Sequence, residues 1–132
     1  MKVILDTNVL VSALLGGRCT PILDLFRKKR FQHFLTLTIL EEYTQVLQRP
    51  IFSAPPSKVQ KVLIYLYRHS HVVIPSQEVN LVHQDPSDNK FLSCALEARV
   101  DFIVTGDHHL LQLGSFHHTT ILSPHEFLKL FR

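Results

Sequence analysis

Short apolar runs alternate with helix-like segments along the whole chain, and this alternation limits its possible folds more than any other feature. Five runs have the length and composition of buried strands: 2–5, 34–38, 72–74, 102–105 and 120–122. Six segments carry helical periodicity, capping residues or a first-turn proline: 8–15, 21–29, 38–48, 55–68, 86–99 and 124–131. Such alternation is typical of a parallel sheet with helices on both faces and right-handed crossovers. We therefore expect an α/β fold of three layers, α/β/α, around a short twisted parallel sheet of about five strands.

Length and composition are those of one globular domain. The 132 residues leave little room for a second unit, so we expect one domain over 1–132. Apolar residues make up 45% of the chain, too many for a disordered protein. No apolar run reaches the roughly 18 residues of a membrane span, and Asp6 and Asn8 interrupt a first segment that otherwise resembles a signal peptide. Cys19 and Cys94 lack zinc or redox spacing, so we expect reduced thiols and a cytoplasmic protein.

The net charge of +3 is compatible with a nucleic-acid partner but does not establish one. The basic run Arg27–Arg30 either contacts RNA phosphates or forms a solvated helix end, and the second interpretation is favoured. Three phenylalanines either stack on bases or pack in the core, which is favoured: Phe26, Phe31 and Phe34. The pair His108–His109 is interpreted as part of a loop rather than as a metal or substrate contact.

Acidic side chains follow two of the predicted strands. Asp6 comes directly after the first strand, and Asp107 follows the fourth strand after one glycine. In open parallel sheets, ligands bind beyond the carboxyl ends of the strands, so both aspartates project from the edge used for function. Taken singly, each aspartate is explained more readily as a turn or cap residue.

Two neighbouring glutamates lie near the start of the helix predicted over 38–48. Thr38 and Glu41 have the spacing of a capping box, so Glu41 has a structural role available. Glu42 lies at the border of the apolar helix face, where a carboxylate can reach into a cleft. We therefore expect Glu42 rather than Glu41 to be functional, the alternative being that both lie on a solvated helix face.

Asp85 and Asp88 mark the start of the helix predicted over 86–99. One interpretation is that both acids only cap this helix and complement its dipole. The other is that Asp88 joins the acids at the sheet edge. Two carboxylates 4 Å apart repel by roughly 4 kcal/mol at an effective dielectric near 20, so a larger cluster requires a cation or proton uptake. Hard divalent ions bind such oxygens, and they can activate water for phosphodiester cleavage.

The motifs around these acids resemble those of the PIN-domain nucleases, in particular the VapC-like toxin components of prokaryotic toxin–antitoxin systems. The resemblance covers nearly the whole chain. It rests on Asp6-Thr7-Asn8 after an apolar strand, Leu40-Glu41-Glu42-Tyr43, Asp85 to Leu92 with Ala95, Ile103 to Asp107 with Leu110-Leu111, and the closing segment Ile121 to Phe127. Any one motif is weak evidence, whereas four in order at suitable spacing are specific.

The resemblance implies a PIN-like twisted sheet and an acidic Mg²⁺ or Mn²⁺ site that cleaves RNA. The acids that would hold metal and carry catalysis are Asp6, Glu42, Asp88 and Asp107, with Glu42 either holding metal or orienting the attacking water. Asn8 and Thr105 would support the site, and Asp85 is a lesser candidate. Lys90 is the candidate for an RNA phosphate contact.

As a toxin, the chain would have a protein antitoxin as partner and would often form a homodimer. Three alternatives stay open: an RNA-processing nuclease outside a toxin system, a non-catalytic nucleic-acid or protein-binding module on the same fold, and a phosphatase of the aspartyl-phosphate type. The complete acid set argues against the binding module. The segment Asp6-Thr7-Asn8 lacks the second acid that the phosphatase chemistry commonly uses.

Overall fold

The computed structural model describes residues 1–82 and 85–132 of the chain. Within them, six strands form one sheet: β1 (Lys2–Leu5), β2 (Gln32–Leu35), β3 (His71–Val72), β4 (Phe102–Val104), β5 (Ser115–Phe116) and β6 (Thr119–Leu122). The strand order is β3-β2-β1-β4-β6-β5. All neighbouring pairs are parallel except β5 and β6. The expected α/β fold around a short parallel sheet is confirmed, but the sheet has one strand more than expected, and that strand is antiparallel.

The additional strand, β5, forms an antiparallel hairpin with β6 at the edge of the sheet. It has two residues, Ser115 and Phe116, which is too short to give a periodic pattern. The connection to β6 includes His117, which has a φ of 52°. A tight hairpin turn is usually marked by Asn-Gly or Asp-Gly, and neither pair is present here. The sequence therefore carried no local signal for this strand.

Seven α-helices lie within the described residues: α1 (Thr7–Leu14), α2 (Thr20–Arg27), α3 (Leu37–Leu47), α4 (Pro56–His69), α5 (Asn89–Ala98), α6 (His108–Leu111) and α7 (Pro124–Lys129). Two short 3₁₀ turns precede α4 and α5, at Pro50–Phe52 and Pro86–Asp88. None of the described helices has the length and apolar character needed to cross a membrane.

The start of α3 differs from the sequence prediction. Its cap is Thr36, whose hydroxyl accepts a hydrogen bond from the backbone N–H of Ile39 at 3.2 Å. The predicted capping box of Thr38 and Glu41 is therefore wrong. The reason is that β2 ends at Leu35, so Thr36 is the first residue with the extended backbone that a cap requires.

The two central strands, β1 and β4, are buried apart from their first residues. Val3 and Ile4 of β1, and Ile103 and Val104 of β4, have no exposed surface. Helices pack over this apolar centre, and a smaller cluster made by Val11, Val46, Leu47 and Val59 joins α1, α3 and α4. The three phenylalanines expected in the core, Phe26, Phe31 and Phe34, are buried as predicted. This rigid centre fixes the positions of the strand ends.

One histidine is part of the core. His33 on β2 has no exposed surface, and its Nδ1 lies 2.8 Å from the hydroxyl oxygen of Ser70. Its ring stacks near that of Tyr43, whose hydroxyl donates a hydrogen bond to the carbonyl oxygen of Leu5. Burial lowers the pKa of His33 to about 3, so the ring is neutral at physiological pH.

Candidate active site

The candidate site lies where β1 and β4 end side by side. Asp6 follows β1, and its backbone N–H donates to the carbonyl oxygen of Val104 at 3.0 Å, which continues the pairing of the two strands. Asp107 follows β4 and caps α6. A cavity of about 180 Å³ opens at this edge. All four acids of the predicted set line it, namely Asp6, Glu42, Asp88 and Asp107, and so do Asn8 and Asp85.

Asp6 is held by hydrogen bonds on both carboxylate oxygens. Oδ1 accepts from the backbone N–H of Val9 at 2.9 Å, and Oδ2 accepts from the hydroxyl of Thr105. The hydroxyl oxygen of Thr105 in turn accepts from the backbone N–H of Asp107 at 3.0 Å. Thr105, which is fully buried, therefore links the two aspartates.

The pKa of Asp6 is raised, chiefly because the carboxyl is buried. The hydrogen bonds from Thr105 and Val9 oppose that rise, while the negative charges of Asp107 and Glu42 add to it. A buried carboxylate beside other acids is favoured only if positive charge or a proton is supplied nearby.

Glu42 faces the cavity from α3, whereas its neighbour Glu41 is exposed. One carboxylate oxygen of Glu42 lies 2.6 Å from the ammonium nitrogen of Lys90, and the other accepts a hydrogen bond from the hydroxyl of Thr7. The side chains of Lys90 and Glu42 are 18% and 24% exposed. Lys90, expected from the sequence to contact substrate, is thus engaged with Glu42 in this structure.

Two groups of possible metal ligands occur in the described part of the chain: Asp107 with His108 and His109, and a larger group of Asp85, Asp88, Asp107 and His109 that includes more of the acids. Within each group, one ligand atom from each residue lies within 4.8 Å of the others. Oδ1 of Asp107 also accepts the backbone N–H of His109 at 2.7 Å, which fixes that carboxylate at the start of α6. Asp6 and Glu42 line the same cavity outside the larger group.

Asp88 is the least satisfied acid of the site. Its side chain is buried, and among the described residues its Oδ2 finds no hydrogen-bond partner. Burial, followed by the charges of Asp107 and Asp85, raises the pKa of Asp88 to about 7. An unpartnered buried carboxylate oxygen costs on the order of 1–3 kcal/mol or more, so the folded protein favours a ligand or a proton here.

Asp85 occupies the predicted N-cap position, with Pro86 and Asp88 in the first turn, but within the described part of the chain neither acidic side chain makes a capping hydrogen bond. A 3₁₀ turn at Pro86–Asp88 precedes α5, so Asp88 lies inside a continuous helical path and its carboxylate is directed at the other acids. The carboxylate of Asp85 accepts a hydrogen bond from the hydroxyl of Ser87 at 2.5 Å.

Three residues of the site were not among the site residues predicted from the sequence. α6 begins at His108 and includes His109 next to the acids, so the prediction of a loop for His108–His109 is wrong; the cap made by Asp107 was the signal for a helix. Thr7 directly follows Asp6 in the first motif and contacts Glu42. Arg49 lines the cavity from beyond the end of α3, and no local pattern marks it.

The donor set fits a hard divalent cation. The larger group of ligands offers three carboxylates and one imidazole, and Asp6 adds a fourth carboxylate on the same cavity. Mg²⁺ and Mn²⁺ prefer oxygen ligands, and the unpartnered Oδ2 of Asp88 is an oxygen of this kind. A cation here would also offset the mutual repulsion of the acids.

Comparison with known proteins identifies a family and shows similar chains. A family model described as PIN domain matches residues 2–109. A protein of Methanocaldococcus jannaschii, named uncharacterized protein MJ1680, is 29% identical over 144 residues, which covers 99% of this chain and 92% of that protein. A chain in the crystal structure of VapBC2 from Rickettsia felis, bound to a DNA fragment from their promoter, superimposes with a TM-score of 0.62 at 14% identity. That superposition covers 93% of this chain and 98% of the other, and it shows a shared fold.

Proposed function

The chain belongs to the PIN-domain family, and from that premise we propose that it is a divalent-metal-dependent endoribonuclease that hydrolyses RNA phosphodiester bonds. The observation that carries the proposal is the acidic cavity at the carboxyl ends of β1 and β4, where Asp88 presents a buried oxygen with no partner among the described residues. PIN domains are generally nucleases, and clustered carboxylates are the ligands that metal-assisted phosphodiester hydrolysis uses.

In this proposal, Asp6, Asp88 and Asp107 hold Mg²⁺ or Mn²⁺, with Asp85 as a further ligand. When bound, such an ion lowers the pKa of water and stabilises the charge that develops on the phosphate and the leaving oxygen. Thr105 keeps Asp6 and Asp107 in register through the hydrogen bonds that it makes to both residues. Asn8, which is exposed on the cavity wall, supports the site by hydrogen bonds to bound water or substrate.

Glu42 orients and deprotonates the attacking water. Its carboxylate is held between the ammonium of Lys90 and the hydroxyl of Thr7, so its direction is fixed before substrate arrives. Arg49 on the cavity wall supplies a positive charge for the RNA phosphate. Lys90 does not line the acidic cavity, but its ammonium lies 2.6 Å from Glu42, which does, so Lys90 can share this role when an RNA phosphate replaces Glu42 as its partner.

The test is cleavage of a labelled single-stranded RNA by the purified protein with Mn²⁺ or Mg²⁺. We expect EDTA to stop cleavage, and Asp6→Asn and Asp88→Asn to reduce it by at least about a hundredfold while the fold is kept. Asp24→Asn is the matched control, because Asp24 is an exposed acid on α2 and does not line the cavity. Equal cleavage by wild-type protein and both site variants would point to a contaminating ribonuclease.

The same assay separates the alternatives. Hydrolysis of small phosphate esters without RNA cleavage would favour the phosphatase. Metal-independent RNA binding without cleavage would favour the binding module. Either result would overturn the proposed ribonuclease.

We further propose that the chain is the toxin of a toxin–antitoxin pair acting in the cytoplasm, with a protein antitoxin and possible homodimerisation. The support is the fold shared with a chain of the VapBC2 complex over nearly the full length of both chains. Induced expression in a bacterial host should arrest growth, and Asp88→Asn should not. Arrest should be relieved by the antitoxin, identified by co-purification with the tagged variant. Growth unaffected by an enzyme that cleaves RNA in vitro would favour an RNA-processing nuclease.

A further inference from the structure

A second cavity, of about 380 Å³, lies at the amino ends of the strands, whereas the acids lie at their carboxyl ends. We call it the basic–aromatic cavity; the residues that define it are Arg27, Lys29, Tyr65, Arg68, His69 and His71. It is bounded by the ends of α2 and α4 and by the first residues of β2 and β3. Because these strands run parallel to β1, their first residues lie about 13 Å, the length of a four-residue strand, from the edge that carries Asp6.

The basic–aromatic cavity carries uncompensated positive charge. Arg27, Lys29 and Arg68 are exposed on its wall, and none of the residues lining it is acidic. Across the described ranges, none of these three cations forms a salt bridge. Such a surface attracts an anion, and its charge is opposite to that of the acidic cavity.

Aromatic rings give the cavity a second property. Tyr65 is 37% exposed, and its ring lies 4.2 Å from that of His69, measured between centroids. Beneath it, Phe26 packs edge-on against Tyr65 with centroids 5.9 Å apart, and Phe31 packs against Phe26. The phenylalanines form a buried floor, while Tyr65 and His69 present rings to solvent. An exposed ring set among cations is the combination that stacks a base and binds its phosphate.

From this combination we propose that the basic–aromatic cavity binds a segment of single-stranded RNA, distant from the bond that is cut. Tyr65 and His69 stack on a base, and Arg27, Lys29 and Arg68 contact the neighbouring phosphates. The cavity thus gives the basic end of α2 a binding role, where the sequence alone favoured a solvated helix end. This site requires no metal and is separate from the acidic cavity, so its binding does not depend on the proposed cleavage.

The left-handed backbone conformation of Lys29 supports a role for its side chain in binding RNA. Lys29 follows α2 in the left-handed conformation, with a φ of 57°, and the N–H groups of Lys29 and Arg30 donate to the carbonyl oxygens of Phe26 and Leu25. This is the helix-ending arrangement in which glycine is preferred. A lysine at this position adds a positive charge to the cavity wall at some cost in backbone strain.

The test measures binding of a fluorescent 12-nucleotide single-stranded RNA by anisotropy in EDTA, where the proposed cleavage is absent. We expect Arg68→Glu to weaken binding about tenfold and to reduce the slope of log affinity against log salt by about 1. Arg99→Glu is the matched control: it makes the same exposed charge change outside this cavity and should have a much smaller effect.

A second variant isolates the aromatic contribution. Tyr65→Leu keeps every charge, so we expect it to weaken RNA binding about fivefold or more and to leave binding of tripolyphosphate unchanged. Circular dichroism and thermal melts check that each variant is folded. Equal effects of Arg68→Glu and Arg99→Glu, an unchanged RNA affinity for folded Tyr65→Leu, or equal affinity of wild-type protein for duplex and single-stranded RNA would each overturn the proposal. None of these results depends on whether the acidic cavity cleaves RNA.

Discussion

Replacing Asp88 by asparagine should make the metal-free protein more stable at neutral and alkaline pH. Its carboxyl is buried beside Asp107 and Asp85, which raises its pKa from 3.8 to about 7. Because the folded protein holds this proton more tightly than the unfolded chain, the stabilisation from the protonated carboxyl is complete below about pH 4. It is lost as the pH rises through about 7. The asparagine variant has no charge to lose over this range.

The gain in stability expected for Asp88→Asn follows from the rise in the pKa of Asp88. A rise from 3.8 to about 7 corresponds to about 4 kcal/mol as an upper limit, at about 1.4 kcal/mol per pKa unit. The cavity is open to solvent, which screens the repulsion between the acids, so we expect a gain of about 2 kcal/mol at pH 8. For a chain of this length, that gain raises the melting temperature by roughly 8 °C.

The assay is urea and thermal unfolding in EDTA between pH 4 and pH 8, with Asp24→Asn as the control for a change at an exposed acid. Asp88→Asn should match the wild-type protein at pH 4 and exceed it progressively as the pH rises. Saturating Mn²⁺ should reverse the order at pH 8, because an ion that binds only the folded state stabilises the wild-type protein by mass action. A gain that is independent of pH, or no gain at pH 8, would refute the reasoning.

Three further predictions follow from individual contacts. Lys90→Gln removes the ammonium that lies 2.6 Å from Glu42 and makes the acidic cavity more negative. The variant should therefore bind Mn²⁺ severalfold more tightly, as measured by isothermal titration calorimetry. Unchanged affinity would mean that this ion pair does not influence the acids. Lys29→Gly should raise the free energy of unfolding by about 1 kcal/mol in urea, since glycine adopts the left-handed conformation without strain, and a loss of stability would contradict this. Thr36→Ala should lower the free energy of unfolding by about 1 kcal/mol, because Thr36 caps α3, and Thr38→Ala should lower it by much less. A larger loss for Thr38→Ala than for Thr36→Ala would support the capping box predicted from the sequence.

Much of the fold was predictable because it is encoded by neighbours in the chain. The apolar runs of β1 and β4 and the periodicity of the helices need only a few consecutive residues to be recognised. The position of an acid after a strand is equally local, which is why Asp6 and Asp107 were identified as neighbours on one edge. The errors were local as well: β5 is too short to show a period, and a shift of two residues moved the cap of α3 from Thr38 to Thr36.

The sequence by itself determined which residue types are available at the sheet edge, since strand, turn and helix start are read from adjacent residues. Only the tertiary structure decided which of them touch. Thr105 reaches Asp6 across 99 positions of the chain, and Lys90 reaches Glu42 across 48, because the strand order places β4 beside β1 and brings α5 to α3. The unpartnered oxygen of Asp88 has the same origin, as burial and solvent exclusion depend on how distant segments pack, which no local pattern encodes.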